Sequence, residues 1–305
     1  MKHQLLLTVL LTMLTTSRSF NVSSRRVVFN DLMTIQMKMK STTDASSEAK
    51  GLASISTPGD NDGDNGSDNG GDNGGEARRK KKPVNSSRFR QHVNPLASRY
   101  QQPRVPSPSV DTSWLTSNLS SPSNPYHLDI GCAKGTFCLS MSPLNPSVNY
   151  LGLEIRDPVV EYALDRRNRR KLDNCHFVSC NANVDLERVL EGIDAVGGVL
   201  KTVTIQFPDP HFKEKHKKRR VVVPELVRLI GESMEKEEGV VYLASDVKEV
   251  LDEMREEFNN CDMFEDTVEG DGYLEENVNE VPTERELSVL KDDKPVWRAS
   301  FRLRR

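Results

Sequence analysis

YHLDIGCAKGTF (residues 126–137) sets an apolar run of strand length against a glycine-containing turn and the start of a helix-like segment. Four more apolar runs follow: NYLGLEI (149–155), CHFVSC (175–180), VTIQF (203–207) and GVVYLAS (239–245). Helix-like segments occupy 135–142, 157–171, 184–192, 224–236 and 248–259. Strands alternating with helices predict a doubly wound α/β fold, its mostly parallel sheet covered on both faces. In such a sheet ligands bind beyond the carboxyl ends of the strands, near the switch in strand order. The residues just after each run are therefore the ones to read for chemistry.

After the first run, Gly131 and Gly135 let the backbone approach a ligand closely, or simply make a tight turn. A dinucleotide fingerprint counted from Gly131 needs glycine at 133 and 136, where the chain has Ala133 and Thr136. Glycine at the fifth position better suits a loop for S-adenosylmethionine, which has no pyrophosphate. The second run ends near Glu154, whose carboxylate can accept hydrogen bonds from both hydroxyls of any ribose. The third ends near Asn181, either an amide that reads an adenine edge or a solvated loop residue. The fourth leads into FPDPHFKEKHKKRR (207–220). Asp209 is rigidly presented there between Pro208 and Pro210. Lys213, Lys215, Lys217, Lys218, Arg219 and Arg220 follow, a cluster suited to a phosphate backbone.

Working outward, the 305 residues carry 42 Lys and Arg against 45 Asp and Glu, a net charge of -3 that hides segregation. Residues 78–110 hold nine basic residues and no acid, whereas 231–293 hold 22 acids and five bases. With screening over about 8–10 Å, each block acts locally. At 36% hydrophobic and 29% charged, the composition excludes collagen, a coiled coil and a polytopic membrane protein. It supports a core of about 200 residues.

Residues 1–40 read as a targeting segment. An apolar stretch from Leu5 to Leu14 has signal-peptide length, Ser17-Arg18-Ser19 resembles a cleavage site, and a Ser/Thr/Arg-rich stretch opens on Phe20. A signal peptide followed by a transit peptide is the bipartite address of secondary plastids, and it predicts the plastid stroma. Mitochondrion and secretory pathway are the alternatives. Five cysteines without a CxxC pair read as buried free thiols of a reducing compartment. Residues 41–87 form a low-complexity linker. Its Gly/Asp/Asn tract (59–75) has no closing Glu, so no metal site is expected. Residues 88–125, rich in proline from 103 onward, read as a basic extended arm. Residues 126–305 read as the α/β domain that carries these strand ends.

The chain resembles the tRNA (guanine-N7)-methyltransferases, particularly their cyanobacterial and plastid branch. The resemblance is carried by RFRQHVNPLAS (88–98), LDIGCAKGTF (128–137), YLGLEIRDPVVEYAL (150–164), VTIQFPDPHFKEKHKKRRVV (203–222), SDVKEV (245–250) and PTERE (282–286). It covers residues 88–305. The proline-aspartate-proline segment with its basic tail is highly specific, and the glycine loop is not. The resemblance implies a class I S-adenosylmethionine-dependent (Rossmann-like) fold that methylates guanine 46 in the tRNA variable loop. It implies that Asp129, Gly131, Gly135, Glu154, Asn181 and Asp209 line the S-adenosylmethionine pocket, with Asp209 as the catalytic aspartate. Lys213, Asp246, Thr283, Glu284, Arg285 and Glu286 fall where the family meets tRNA or its target base. Two departures stand out: His211 where the family often has Trp, and Ala133 where many members have Gly.

Guanine N7 is a bare lone pair, so its methylation needs no general base. Carboxylates at the Watson–Crick edge, for which Asp209, Asp246 and Glu286 are the candidates, would stabilise the cationic product. Thr283-x-x-Glu286 is also a capping-box spacing. Residues 296–305 read as a final strand with a basic tail. The competing readings are a dinucleotide-dependent oxidoreductase and a non-catalytic RNA-binding protein on the same fold. A monomer or homodimer is expected, with no evident protein partner and no stable membrane association of the mature chain.

Overall fold

A computed structural model describes residues 89, 92–211, 214–236, 238–268, 270, 272–279 and 281–304. The targeting segment, the linker, Arg78–Lys82 and Lys213 lie outside the described residues. Seven strands, β1 (Tyr126–Ile130), β2 (Asn149–Glu154), β3 (Cys175–Ser179), β4 (Leu200–Gln206), β5 (Val240–Ser245), β6 (Phe264–Asp266) and β7 (Trp297–Leu303), form one sheet in the order β3-β2-β1-β4-β5-β7-β6. The first five are parallel; β7 runs antiparallel to both β5 and β6. Every residue of β1 and β2 is buried, as central strands covered on both faces must be.

The helices are α1 (Ser113–Thr116), α2 (Thr136–Met141), α3 (Asp157–Arg170), α4 (Ala182–Ala195), α5 (Pro224–Ser233), α6 (Lys248–Asn259) and α7 (Glu284–Lys291). Their starts are written locally. Pro158 and Pro224 sit in the first turns of α3 and α5, where a missing N–H costs nothing. Asn181 and Thr283 cap α4 and α7 through their side chains. Among the described residues no helix is long and apolar enough to cross a membrane.

Two features depart from the expected layout. The segment read as an arm outside the domain belongs to the core: Val105, Leu115 and Leu119 are buried in the same cluster as Leu128, Leu151 and Val203. Asp185 of α4, fully buried, fastens it by accepting from the backbone N–H groups of Arg104 and Val105 at 2.7 and 3.0 Å. The second is β6, a three-residue strand within the acidic block with no counterpart in the sequence reading.

Candidate active site

β1 and β4 are neighbours in the sheet but far apart in sequence, and the chain leaves them in opposite directions. A cleft of about 260 Å³ opens at this switch point. The glycine loop and the end of β2 form one wall, and the Phe207–Asp209 corner after β4 forms another. Val93 and Pro95 of the N-terminal segment, together with Thr283–Arg285 at the start of α7, complete it.

The glycine loop is held by its backbone. Gly131 and Cys132 N–H both donate to Leu153 O, at 2.8 and 2.9 Å. Gly131 has φ +83°, and a Cβ there would meet nothing within 4 Å. Gly135 has φ +69°, and its Cβ would stand 2.4 Å from the Phe177 ring. Between them Ala133 has φ +47°, a left-handed conformation that costs a residue with a Cβ roughly 1–2 kcal/mol. The departure noticed in the sequence is thus a point of local strain.

Asp129, buried at the end of β1, accepts from Thr204 Oγ1 at 2.7 Å and from Cys138 Sγ at 3.7 Å. Burial pushes its carboxyl up to about 6. His127 Nε2 lies 3.1 Å from Thr204 Oγ1. Because the threonine proton goes to Asp129, the histidine donates, and a buried relay runs His127 to Thr204 to Asp129. Burial holds His127 down at about 3.

Glu154 is buried, and its carboxylate is gripped by Arg156: Nε donates to Oε1 at 2.9 Å and Nη2 to Oε2 at 2.8 Å. The hydrogen bond to Glu154 raises the Arg156 guanidinium above its ordinary value, and the charge of Asp209 adds to this. Arg156, two residues past the end of β2 and just before α3, was missed by the sequence reading. Glu154 Oε1 also accepts from the Arg156 backbone N–H at 3.0 Å, so Oε2 is the oxygen that keeps a lone pair for a further donor. Asn181 borders the cleft, but its amide is committed. Its Oδ1 accepts from Asn183 N–H at 3.2 Å, and its Nδ2 donates to Tyr100 O at 3.0 Å. Neither an adenine-reading amide nor a solvated loop residue, the Asn181 side chain is a helix cap that ties down the N-terminal segment.

Asp209 stands at the corner after β4. Phe207 N–H still pairs with Ala244 O at 2.7 Å, and Phe207 then takes φ +52°. A bulky residue in that region is a genuine outlier, of the kind that gathers at functional sites. It turns the Pro208-Asp209-Pro210 segment out of the sheet. The Asp209 side chain is 40% exposed, and His92 Nδ1 meets its Oδ1 at 2.8 Å. Of the basic cluster, Lys217 and Lys218 are exposed, Arg219 borders the cleft, and Arg220 pairs with Glu253 at 2.7 Å.

The C-terminal candidates separate. Thr283 Oγ1 accepts from Glu286 N–H at 3.1 Å, the capping half of the capping box. Glu284 accepts from Thr136 Oγ1 at 2.6 Å and lies near Lys134 and Arg166, latching α7 to the glycine loop. Arg285 pairs with Asp246, which stands just after β5. Glu286 does not join them. It is 1% exposed, and Arg298 Nη2 and Asn277 Nδ2 donate to its two oxygens at 2.6 and 2.7 Å. The expected contact between Glu286 and a guanine is therefore corrected: its carboxylate is spent inside the protein.

The residues present fit S-adenosylmethionine. The missing Cβ at Gly131 leaves space beside the turn, and Glu154 Oε2 offers an acceptor at the next strand end. The fold and the cleft define a class I S-adenosylmethionine-dependent methyltransferase. Residues 123–299 match a family model described as putative methyltransferase. The chain is 46% identical over 214 residues to a tRNA (guanine-N(7)-)-methyltransferase of Thermosynechococcus vestitus, covering 70% of this chain and 94% of that one. It is 45% identical to the enzyme of the same name from Trichormus variabilis, covering 70% and 95%. Among solved structures, the 16S rRNA methyltransferase KamB matches at 17% identity with TM-score 0.44, over 64% of this chain and 94% of that one. The chain belongs to the tRNA (guanine-N7)-methyltransferase family.

Proposed function

We propose that this protein methylates N7 of guanine 46, in the tRNA variable loop, and does so in the plastid stroma. The observation that carries the site is Asp209, thrown out of the sheet by the Phe207 corner into the cleft that the glycine loop also lines. S-adenosylmethionine, when bound, supplies the methyl group as a sulfonium. The protein's own residues do the rest. Gly131 and Glu154 hold the donor, with Arg156 fixing the direction of the Glu154 carboxylate. The rigid Pro208-Asp209-Pro210 corner sets one carboxylate where a guanine's N1–H and exocyclic amine can donate to it. As N7 becomes cationic, that negative charge is worth more in the transition state than in the ground state, which is how it accelerates transfer. Asp246, held by Arg285, stands as the second acceptor, and the exposed Lys217 and Lys218 suit tRNA phosphates. The reading of residues 1–40 as a bipartite address supports the stroma.

Asp209→Ala should keep tRNA binding and lose most single-turnover methyl transfer; unchanged transfer overturns its assignment. Borohydride-induced strand cleavage of the product should map to position 46, and cleavage elsewhere overturns that position. A fluorescent fusion carrying residues 1–87 should enter the plastid, and retention in the secretory pathway or mitochondria overturns the address.

A further inference from the structure

The N-terminal segment reaches the catalytic corner as well as the core. It is bolted at its far end by the Asp185 contacts to Arg104 and Val105, and at its middle by Asn181 to Tyr100 O. Arg104 adds an ion pair to Asp157 at 2.6 Å. From these anchors it crosses the cleft, where Val93 and Pro95 form part of the wall, and ends on the contact between His92 Nδ1 and Asp209 Oδ1. Phe89 packs edge-on against Tyr162 of α3, with ring centroids 5.7 Å apart. Phe89 of the same segment thus rests on α3, the helix after β2, and His92 rests on the corner after β4.

We infer that His92 is a positioning residue for methyl transfer. It holds one Asp209 oxygen through Nδ1–H and leaves the other facing the base. This rests on the reading of Asp209 as the carboxylate that meets the guanine. The contact contributes little to stability, because both side chains are well exposed, at 66% and 40%, and exposed pairs are weak. Its value is orientational. The backbone of Asp209 is fixed by its flanking prolines, but its χ1 and χ2 are free, and nothing else among the described hydrogen bonds and ion pairs holds its carboxylate. A carboxylate that wanders by an ångström loses much of its catalytic effect.

The test compares His92→Ala with His92→Asn, whose Nδ2 takes the place of histidine Nδ1, on the full-length protein. With S-adenosylmethionine and unmodified tRNA both saturating, His92→Ala should lower the single-turnover rate roughly tenfold, leaving the Kd for each substrate and the melting temperature unchanged. His92→Asn should recover most of the rate. In an Asp209→Ala background, His92→Ala should have no further effect, because the group it positions is gone. A His92→Ala rate within twofold of wild type overturns the inference, as does a loss that appears in tRNA affinity alone or persists undiminished beside Asp209→Ala. If wild-type protein fails to methylate guanine N7, it is the proposed function that falls, and the two failures are told apart by that control.

Discussion

Gly131 and Gly135 look alike in sequence, and the structure assigns them different work, so the same substitution should fail differently at each. At Gly135 an added methyl would lie 2.4 Å from Cε1 and Cζ of Phe177 and 3.1 Å from Ala163 Cβ. Carbon atoms need about 3.5–4.0 Å, so the ring would have to move by more than about 1 Å. It has little room: Phe177 is 2% exposed, and its Cδ1 lies 2.7 Å from where a Cβ on Gly152 would be. Overpacking costs about 1–3 kcal/mol, and the left-handed φ of +69° adds roughly 1–2 kcal/mol. Gly135→Ala should therefore lose about 2–5 kcal/mol of unfolding free energy in a urea titration followed by circular dichroism. At Gly131 only the positive φ counts, so the loss should stay near 1–2 kcal/mol. The methyl would project into open space at the cleft wall, and S-adenosylmethionine affinity measured by calorimetry should fall at least tenfold. A Gly135→Ala variant within 1 kcal/mol of wild type, or one less destabilised than Gly131→Ala, would refute the reasoning.

Two further outcomes follow from buried charge. His127 and His176 are both held near 3 by burial, with Arg167 adding to the effect at His176. A histidine depressed on folding contributes stability that is lost as pH falls below its unfolded value of about 6.5. Asp129, raised to about 6, works the other way, since the folded state takes up its proton first. Two histidines outweigh one aspartate, so ligand-free protein should lose about 1–2 kcal/mol between pH 7.0 and 5.5; equal or greater stability at pH 5.5 in urea titrations would contradict this. Arg298→Ala strands the Glu286 carboxylate in the interior and should cost about 3–5 kcal/mol. Arg298→Met combined with Glu286→Gln should recover much of that by thermal denaturation, and a double variant no better than Arg298→Ala would count against the pair.

The sequence made β1 legible to the residue because breakers bound it, Pro125 before and Gly131 after, and because β1, β2, β4 and β5 are interior strands that read as mostly apolar runs. β6 was unreadable for the opposite reason. Three residues give no periodicity, and Phe264–Asp266 is a strand only because β7 pairs with it. The Pro-rich segment 103–125 hid its buried residues likewise. Prolines report backbone dihedrals, whereas the burial of Val105 and Leu119 depends on partners far away in sequence. Within the site, Asp209 could be singled out because its neighbouring prolines act locally. Glu286 was misplaced because its direction is set by Arg298 and Asn277, and no spacing rule connects those three. The strain at Phe207 was equally invisible, since nothing about phenylalanine announces a positive φ.

The antiparallel strand β7 has a consequence for how the molecule comes into being. It lies between β5 and β6, yet every other strand precedes it in the chain. Until residues 297–303 have emerged from the ribosome, the β5 edge is unpaired and β6 has no neighbour at all. The N-terminal half can collapse early around β1 to β3, but the sheet closes only when β7 inserts, and an exposed parallel edge is what chaperones and aggregation both recognise. β7 is also the element that brings Arg298 to Glu286 and so seats α7 beside the cleft. The side of the site that would hold tRNA is thereby completed in the same event as the sheet, and a nascent or truncated chain lacking β7 would carry the glycine loop without a finished substrate wall.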